Sequence, residues 1–147
     1  MSQTIVSPIT AALICPNPKD GTSLYRGHGP FGRLARAEPN LHLHTGTAEA
    51  GGGVKWSWVD FVNCDLAIIQ RPAGPPHIAV AQMAKDAGLP LWCDFDDDVT
   101  AVPISNRYHT AFPKAQTEAC INQIVQMADL ITVSTEALKA KMGNKAV

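Results

Sequence analysis

Four carboxylates lie within five positions, directly after a short apolar segment. The segment LPLWC at 89–93 is followed by Asp94, Asp96, Asp97 and Asp98. In an α/β protein, a strand that ends this way places its carboxylates at the carboxyl edge of the sheet, where open α/β folds hold their ligands. Like charges this close raise one another's pKa values and cost stability unless a cation, a proton or a substrate compensates them. The run therefore indicates a functional site, with a solvated acidic loop as the alternative.

An arginine is placed to meet these acids. Arg71 follows the apolar strand-like segment 65–70, and the carboxyl ends of parallel neighbours emerge at the same edge. A guanidinium there could offset part of the acidic cluster through bidentate pairing. Because side chains alternate along a strand, Asp94 and Asp96 are expected to face a crevice while Phe95 packs inward. A purely structural ion pair between Arg71 and one aspartate is the alternative of equal weight.

A glycine-bearing loop before the first predicted helix is the second candidate site. The stretch SLYRGHGP at 23–30 carries Gly27 and Gly29, which allow backbone N–H groups to approach a ligand, and a helix N-terminus favours anions. Arg26 and His28 add positive or titratable charge. The stretch is neither a GxGxxG fingerprint nor a P-loop, so an ordinary exposed turn is the alternative.

The remaining histidines and the cysteines have simpler interpretations. His42 and His44 share one face of a short strand, but no third ligand follows at useful spacing, so the sequence predicts no metal site. His109 lies in the loop after the acids and could line the same crevice. The cysteines form no CxxC pair, which favours buried free thiols over disulfides. They are Cys15, Cys64, Cys93 and Cys120.

Size and composition indicate one globular domain. The chain has 147 residues, of which 46% are hydrophobic and 17% charged, and its net charge is −1. This size suffices for one core, and the charge excludes the basic footprint of a nucleic-acid-binding protein. No apolar run approaches the ~20 residues of a membrane span, and the N-terminus has no basic region followed by an apolar core. We expect a cytoplasmic protein that does not bind nucleic acid.

Strand-like and helix-like segments alternate along the chain. This alternation predicts an α/β fold, with a Rossmann-like parallel sheet and helices on both faces. The predicted strands are 10–15, 41–44, 65–70, 89–93 and 130–133. A loop is predicted at 16–29, directly after the first strand. Four helices are predicted: one that begins near Pro30, one at 75–87, one at 114–128 and a last one that Ser134 is expected to cap. A short amphipathic segment at 54–62 carries Trp56 and Trp58. Residues 145–147 are typical of a strand beginning, so the single domain 1–147 is expected to be a fragment or a partner-dependent half.

Three stretches taken together resemble the family 4-like glycosyltransferases of the GT-B fold. The likeness spans about residues 10–142, and the ordered combination is more specific than any single stretch. The family's loop-and-helix motif S-x-Y-R-x-x-x-P-x-x-x-L resembles Ser23–Arg26 together with Pro30 and Leu34. Its motif D-x-x-x-x-Q-R-P … D-x-D-D resembles residues 65–72 together with 92–98. Its strand-and-helix motif AD-x-x-T-V-S-T-x-x-L resembles residues 129–138.

The resemblance implies a Rossmann-like amino-terminal half that binds a sugar, lipid or protein acceptor, with a membrane surface as a compatible partner. In that family a second Rossmann-like half with a paired-glutamate motif holds the nucleotide sugar, and transfer takes place between the halves without an essential metal. This carboxyl-terminal, donor-binding half is absent from the sequence, so the chain alone is expected not to transfer sugar. The nucleotide sugar is a co-substrate, and no cofactor is expected.

The resemblance also implies site roles. The turn Tyr25–Gly29 would lie near the donor phosphates and the acceptor, and Asp96 or Asp97 near the transfer centre, where a carboxylate could accept the proton of the acceptor hydroxyl. The predicted catalytic residues are Asp96 and Asp97; the predicted substrate-binding residues are Tyr25, Arg26, Gly27, His28, Gly29, Arg71, Asp94 and His109.

Two alternatives remain open at the level of sequence. One is a magnesium-binding or phosphoacceptor regulatory domain that uses the aspartates, since hard cations prefer oxygen ligands. A receiver domain, however, carries an acid pair after its first strand, which this chain lacks. The other is a non-catalytic glycan-binding module.

Overall fold

A computed structural model describes residues 7–17, 19–48, 61–107 and 109–147. Within these ranges, five parallel strands form one sheet in the order β2-β1-β3-β4-β5. The strands are β1 (Ile9–Cys15), β2 (Leu41–Thr47), β3 (Leu66–Gln70), β4 (Leu91–Phe95) and β5 (Leu130–Val133). The predicted α/β fold with a parallel, Rossmann-like sheet is confirmed. The amphipathic segment predicted at 54–62 lies, apart from its last two residues, outside the described ranges.

Four α-helices are described beside the sheet. They are α1 (Gly29–Ala37), α2 (Pro75–Asp86), α3 (Lys114–Met127) and α4 (Glu136–Met142). Proline occupies the first turn of both α1 and α2, where its missing N–H costs nothing and its fixed φ suits the helix. None of the helices in the described ranges has the length and apolar character needed to cross a membrane.

The two faces of the sheet pack against different helices. One face carries Ile14, Ile69 and Leu91 in a cluster with side chains from α2, α3 and α4. On the opposite face Phe31 of α1 packs edge-on against Trp92, with ring centroids 5.4 Å apart. Because neighbouring residues of a strand point to opposite faces, a continuous apolar strand supplies both clusters. Helices therefore cover both faces, as predicted.

Strand β4 runs two residues further than the sequence predicts, and this moves the first acid into the sheet. Asp94 pairs in register with Gln70 of β3 and Thr132 of β5. Only the last three acids of the run follow the strand. Asp94 is tolerated in the strand because its carboxylate accepts hydrogen bonds from Arg26 and Thr132.

The loop predicted at 16–29 contains a π-helical turn, Ser23–His28, so the prediction of a plain loop is wrong there. The Asp20 carboxylate accepts a hydrogen bond from the Ser23 N–H at 2.6 Å, which starts the turn. The Gly29 N–H bonds back to the Leu24 carbonyl at the other end. Single π-helical turns are rare and are found frequently at functional sites.

The cap of the last helix is shifted by one residue from its predicted position. Thr135 accepts the Leu138 N–H through its side-chain oxygen at 3.2 Å. Ser134 instead donates its hydroxyl to the backbone carbonyl of Asp96, so the assignment of the cap to Ser134 is wrong. Both residue types suit a cap, and the tertiary contact with the acidic loop decides which one is used.

The last residues pair with β5. The Ile131 N–H donates to the Lys145 carbonyl at 3.2 Å, and the Val147 N–H donates to the Ile131 carbonyl at 2.9 Å. This parallel bridge agrees with the prediction that 145–147 begins a further strand.

Candidate functional site

The candidate site lies at the carboxyl edge of the sheet. The chain runs outward from β1 to β2 and then back past β1 to β3, so the strand order reverses between β1 and β3. Such a switch point opens a crevice outside the strand ends, where α/β proteins bind ligands. The π-helical turn follows β1, Arg71 follows β3 and the acidic run ends β4. The structure therefore brings the sequence-predicted regions to one edge.

Asp94 is held by a network of side chains on the α1 face of the sheet. Arg26 donates to both of its carboxylate oxygens, at 2.9 Å from Nε and 2.6 Å from Nη2. Thr132 donates to the same carboxylate at 2.6 Å, and the Trp92 indole N–H donates to Thr132 at 2.9 Å. The hydrogen bond to Asp94 raises the pKa of Arg26 above its ordinary value. We call these four residues the Arg26–Asp94 network.

The bidentate pair predicted for Arg71 is thus made by Arg26. The Arg71 guanidinium instead contacts the loop after β1, with Nη2 at 3.3 Å from the Asp20 carboxylate and Nη1 at 3.4 Å from Thr22. Its backbone has a φ of +49°, a left-handed conformation that is uncommon for a long side chain and is often found at functional sites. The backbone N–H of Arg71 donates to the Asp94 carbonyl at 2.7 Å, which keeps β3 and β4 together at this point.

Asp98 is also paired. It caps the short 3-10 turn Val99–Ala101 by accepting the Thr100 N–H at 3.1 Å and the Thr100 hydroxyl at 2.6 Å. Lys141 of α4 donates to both carboxylate oxygens at 2.8 Å. Burial raises the pKa of Asp98, but the hydrogen bonds from Lys141 and Thr100 outweigh it, so the pKa lies below its ordinary value.

Asp96 and Asp97 have no ion-pair partner in the described part of the chain, and we call them the unpaired aspartates. Asp96 is half-buried, and its Oδ1 has no hydrogen-bond partner there. Burial raises the pKa of Asp96; nearby Asp97 and Asp94 act in the same direction, while Arg71 partly lowers it. Asp97 is exposed. These two carboxylates are the ones left available for chemistry.

A cleft of about 780 Å³ opens beside the acidic loop. Most of its polar lining comes from the loops after β1, β3 and β4, and most of its apolar lining from residues 99, 101–103, 111 and 112. The polar lining includes Asn17, Asp20, Thr22, Arg71 and Asp97, and the apolar lining includes Val99, Val102, Pro103, Ala111 and Phe112. A smaller pocket of about 210 Å³ adjoins it and shares Asp97 and Asp98, and Asp96 lines this smaller pocket but not the cleft.

His77 also lines the cleft, and sequence reasoning missed it. Its side chain is buried, with 1% exposed, and its Nδ1 accepts the N–H groups of Gly74 at 3.2 Å and Ala73 at 3.3 Å. Burial lowers the pKa of His77 to about 4, and the charge of Arg71 acts in the same direction. Backbone hydrogen bonds with Ala48 and Gly74 act in the opposite direction and are outweighed. This hydrogen-bond pattern assigns the proton to Nε2 and leaves the ring neutral.

A sequence signal for His77 does exist. It stands third in the helix after Gly74 and two prolines, where a glutamate or glutamine commonly accepts the cap residue's N–H in a capping box. A histidine in that position can accept the same bond only as the neutral ring.

Gly27 and Gly29 are required by packing. A Cβ on Gly27 would lie 2.5 Å from the Cys15 sulfur and 2.8 Å from the Gln70 side-chain oxygen, and a Cβ on Gly29 would collide with the Leu24 carbonyl oxygen. Gly27 also has φ −107° and ψ −112°, outside the regions that other residues favour. Gly27 therefore allows the π-helical turn to press against the ends of β1 and β3, and Gly29 allows the turn to close on the Leu24 carbonyl.

The other predicted binding residues lie apart from the cleft lining. Tyr25 is 78% exposed and projects from the π-helical turn. His28 is half-buried, with an Nδ1 that has no partner among the described residues. The Nδ1 of His109 lies 2.8 Å from the Val102 carbonyl oxygen. This contact closes the loop that carries the apolar side of the cleft.

The cysteines match the prediction of buried thiols without disulfides. All four cysteines are buried and none of them forms a disulfide, and burial raises the pKa of Cys15 to about 11, which keeps the thiol protonated. His42 and His44 are exposed on β2, at the edge of the sheet. In the described ranges, no group of three or more His, Cys, Asp or Glu side chains is arranged to hold a metal ion.

Comparisons with known proteins bear on the fold. No family model and no curated protein matches the chain. Among solved structures, the chain is similar to an apo cysteine desulfurase from Thermococcus onnurineus NA1, with a TM-score of 0.52, 17% identity and coverage of 96% of this chain. It spans 31% of that protein's length. It is also similar to a conserved protein from Enterococcus faecalis V583, with a TM-score of 0.51, 10% identity and coverage of 92% of this chain and 98% of that one. At these identities the likeness shows the α/β fold alone.

Proposed function

We propose that the chain is the acceptor-side, amino-terminal half of a GT-B glycosyltransferase of the family 4-like type. It would bind the acceptor while a second half supplies a sugar from a nucleotide-sugar donor. One observation carries the proposal: the three stretches that resemble that family are bonded to one another at a single edge of the sheet. Arg26 bonds to Asp94 across 68 residues of sequence, Thr132 bonds to Asp94 across 38, and Ser134 bonds to the Asp96 carbonyl across 38.

The cleft has the two kinds of wall that a sugar needs. A pyranose carries hydroxyl groups around its rim and an apolar C–H face. The lining of the cleft includes Asp97 and Arg71, which offer hydrogen-bond partners, and Phe112 and Val102, which offer apolar contact. A mostly apolar pocket with a few placed polar groups is the usual form of a small-molecule site. The acceptor class open to it includes free sugars and the sugar ends of lipids or proteins.

Asp96 is the residue we propose to accept the proton of the acceptor hydroxyl. Its half-buried side chain lines the smaller pocket beside the cleft and has no ion-pair partner among the described residues. Its raised pKa, caused first by burial, makes it a stronger base than an ordinary aspartate. Asp94 is unsuited to this role because Arg26 and Thr132 already occupy its oxygens.

The magnesium-binding alternative finds less support in the arrangement of the acids. Asp94 and Asp98 are each held by a cationic side chain of the chain itself, and a cation would have to displace these partners. Titration calorimetry separates the two proposals. Micromolar magnesium binding that disappears in Asp96→Asn would favour the regulatory domain over the glycosyltransferase half.

The direct test is acceptor binding on an array of glycans and lipid-linked sugars. We expect saturable binding to a subset of sugars, weakened at least about tenfold in Phe112→Ala because the apolar wall is lost. Ile104→Ala is the matched control, since Ile104 is 87% exposed and lies outside the cleft lining. Circular dichroism spectra establish that both variants are folded.

Two results would contradict the proposal. Absence of saturable binding to every sugar would remove the acceptor role. Transfer from a nucleotide sugar by these 147 residues alone would show that no second half is needed.

A further inference from the structure

We infer that the cleft selects its saccharide by charge, taking neutral or amine-bearing sugars and discriminating against carboxylated or phosphorylated ones. The inference rests on the proposed function and names the substrate class of the same site. It follows from the charged and polar side chains that line the cleft.

Among the described residues, the lining is acidic. Its charged members there are Asp20, Arg71, Asp97 and Asp98, so three aspartates face one arginine and two negative charges remain. Lys141 lies outside the cleft lining but pairs with Asp98, and one negative charge remains even when Lys141 is counted. The described residues of the lining therefore present a net negative field to a ligand.

Arg71, the one cation among the described residues of the lining, is already compensated. Its guanidinium lies 3.3 Å from the carboxylate of Asp20, which also lines the cleft. An anionic ligand could reach Arg71 only by competing with Asp20. Arg26, the nearest cation of the π-helical turn, is committed to Asp94 and lies outside the lining.

Asp97 is the charge that a ligand meets without an intervening cation. It is exposed, lines both the cleft and the adjoining pocket, and has no ion-pair partner in the described part of the chain. A second negative charge within a few ångströms of it near a protein surface weakens binding by roughly tenfold or more. The same carboxylate accepts hydrogen bonds from hydroxyl groups and attracts an ammonium group.

His77 adds no positive charge to the lining of the cleft. It lines the cleft and is buried, and its Nδ1 accepts two backbone N–H groups, so the ring is neutral. It adds nothing to the attraction of an anion, in contrast to an arginine or a lysine in the same place.

The experiment compares sugars that share a ring and differ in charge. Three series cover the common stereochemistries: the methyl glycoside, the 2-amino sugar and the uronate of glucose, galactose and mannose. Affinities are measured by saturation-transfer NMR at low salt for the unmodified chain, for Asp97→Asn and for Asp86→Asn. Asp86 undergoes the same change of charge at the end of α2, outside the cleft lining.

In the series that binds, we expect the uronate to bind at least about tenfold more weakly than the neutral glycoside, and the amino sugar to bind at least as tightly. Asp97→Asn should narrow the ratio of the two affinities severalfold, whereas Asp86→Asn should leave it unchanged. Higher salt should also narrow the ratio, because it screens exposed charges.

The possible failures are distinct. A uronate that binds as tightly as its neutral glycoside would overturn the charge selection and leave sugar binding intact. If the ratio of the two affinities in Asp97→Asn equals that of the unmodified chain, the charge selection does not come from this lining, and the inference is wrong. Absence of binding in all three series would count against the proposed function itself, and the inference would fall with it.

Discussion

The Arg26–Asp94 network and the unpaired aspartates are neighbours in sequence with opposite environments. Asp94 is 11% exposed and its oxygens take bonds from Arg26 and Thr132. Two residues later Asp96 keeps an oxygen without a partner among the described residues, and Asp97 is exposed at the cleft. The difference arises because β4 ends at Phe95. Inside the strand, a buried carboxylate is tolerated only with partners; beyond it, the carboxylates can remain open to a ligand.

This contrast separates two roles that one acidic run contains. The network joins the π-helical turn, β4 and β5, so its loss should weaken the fold. The unpaired aspartates join nothing, so their loss should affect binding and leave stability nearly unchanged. The predictions below test that division by denaturation, from the largest expected effect to the smallest.

The largest effect is expected for Arg26→Leu. The substitution leaves Asp94 buried without its cation, and breaking a fully buried pair costs about 3–5 kcal/mol. Because the Arg26 side chain is 34% exposed, solvent screening reduces this, and we expect a loss of about 2 kcal/mol in the free energy of unfolding. Urea denaturation followed by circular dichroism measures it.

Lys114→Leu is the control for Arg26→Leu. Lys114 lies 3.9 Å from Glu118 in an exposed pair on α3, and such pairs contribute less than about 1 kcal/mol. Equal losses in the two variants would show that the Arg26–Asp94 pair behaves as a surface pair, and the proposed division would then be wrong.

The next effect is expected for Gly27→Ala, which tests the support of the network. The new Cβ would meet Cys15 and Gln70 at contact distances under 3 Å, and overpacking of this kind costs about 1–3 kcal/mol. Gly32→Ala is the matched change within α1, where the nearest atom is the end of the flexible Arg36 side chain at 3.7 Å. That variant should gain up to about 1 kcal/mol from helix propensity. A comparable loss in both variants would contradict the packing role of Gly27.

The sequence predicted the fold well because its signals are local. The apolar segment 65–70, the prolines that open α2 and the stripe on α3 each favour one structure by propensity and period alone. Where a tertiary contact decides the outcome, the predictions were wrong: Ser134 is drawn to the Asp96 carbonyl, and Thr135 takes over the cap.

For the site, sequence reasoning found the edge but not the pairing. It placed Arg26, Arg71 and Asp94 at one end of the sheet, yet assigned the bidentate pair to the wrong arginine. Strand order and the left-handed backbone at Arg71 determine which guanidinium reaches which carboxylate, and neither can be read from residue types. His77 was missed because its role depends on burial beside the cleft.

The smallest effects are expected for the two single variants Asp96→Asn and Asp98→Asn, which should change the free energy of unfolding in opposite directions. The pKa of Asp98 is lowered in the folded chain, since the bonds from Lys141 and Thr100 outweigh burial. Its carboxylate therefore stabilises the fold above the pKa of the unfolded chain, and this contribution is lost as the pH falls through the folded pKa. Asp98→Asn should cost about 0.5 kcal/mol at neutral pH, because both partners are partly exposed.

Asp96 should behave in the opposite way. Burial raises its pKa in the folded chain, so its ionisation costs stability as the pH rises from the unfolded to the folded pKa, and that cost persists above the window. At pH 7, Asp96→Asn should therefore raise the free energy of unfolding by less than about 0.5 kcal/mol, seen as unfolding at a slightly higher urea concentration. This gain should vanish towards pH 3. If Asp96→Asn instead destabilises the chain at pH 7 as Asp98→Asn does, Asp96 has a structural partner like that of Asp98, and it belongs with the network. A gain in stability combined with a loss of sugar binding is the combination expected of a carboxylate kept open for a ligand, since functional sites commonly retain groups that cost stability.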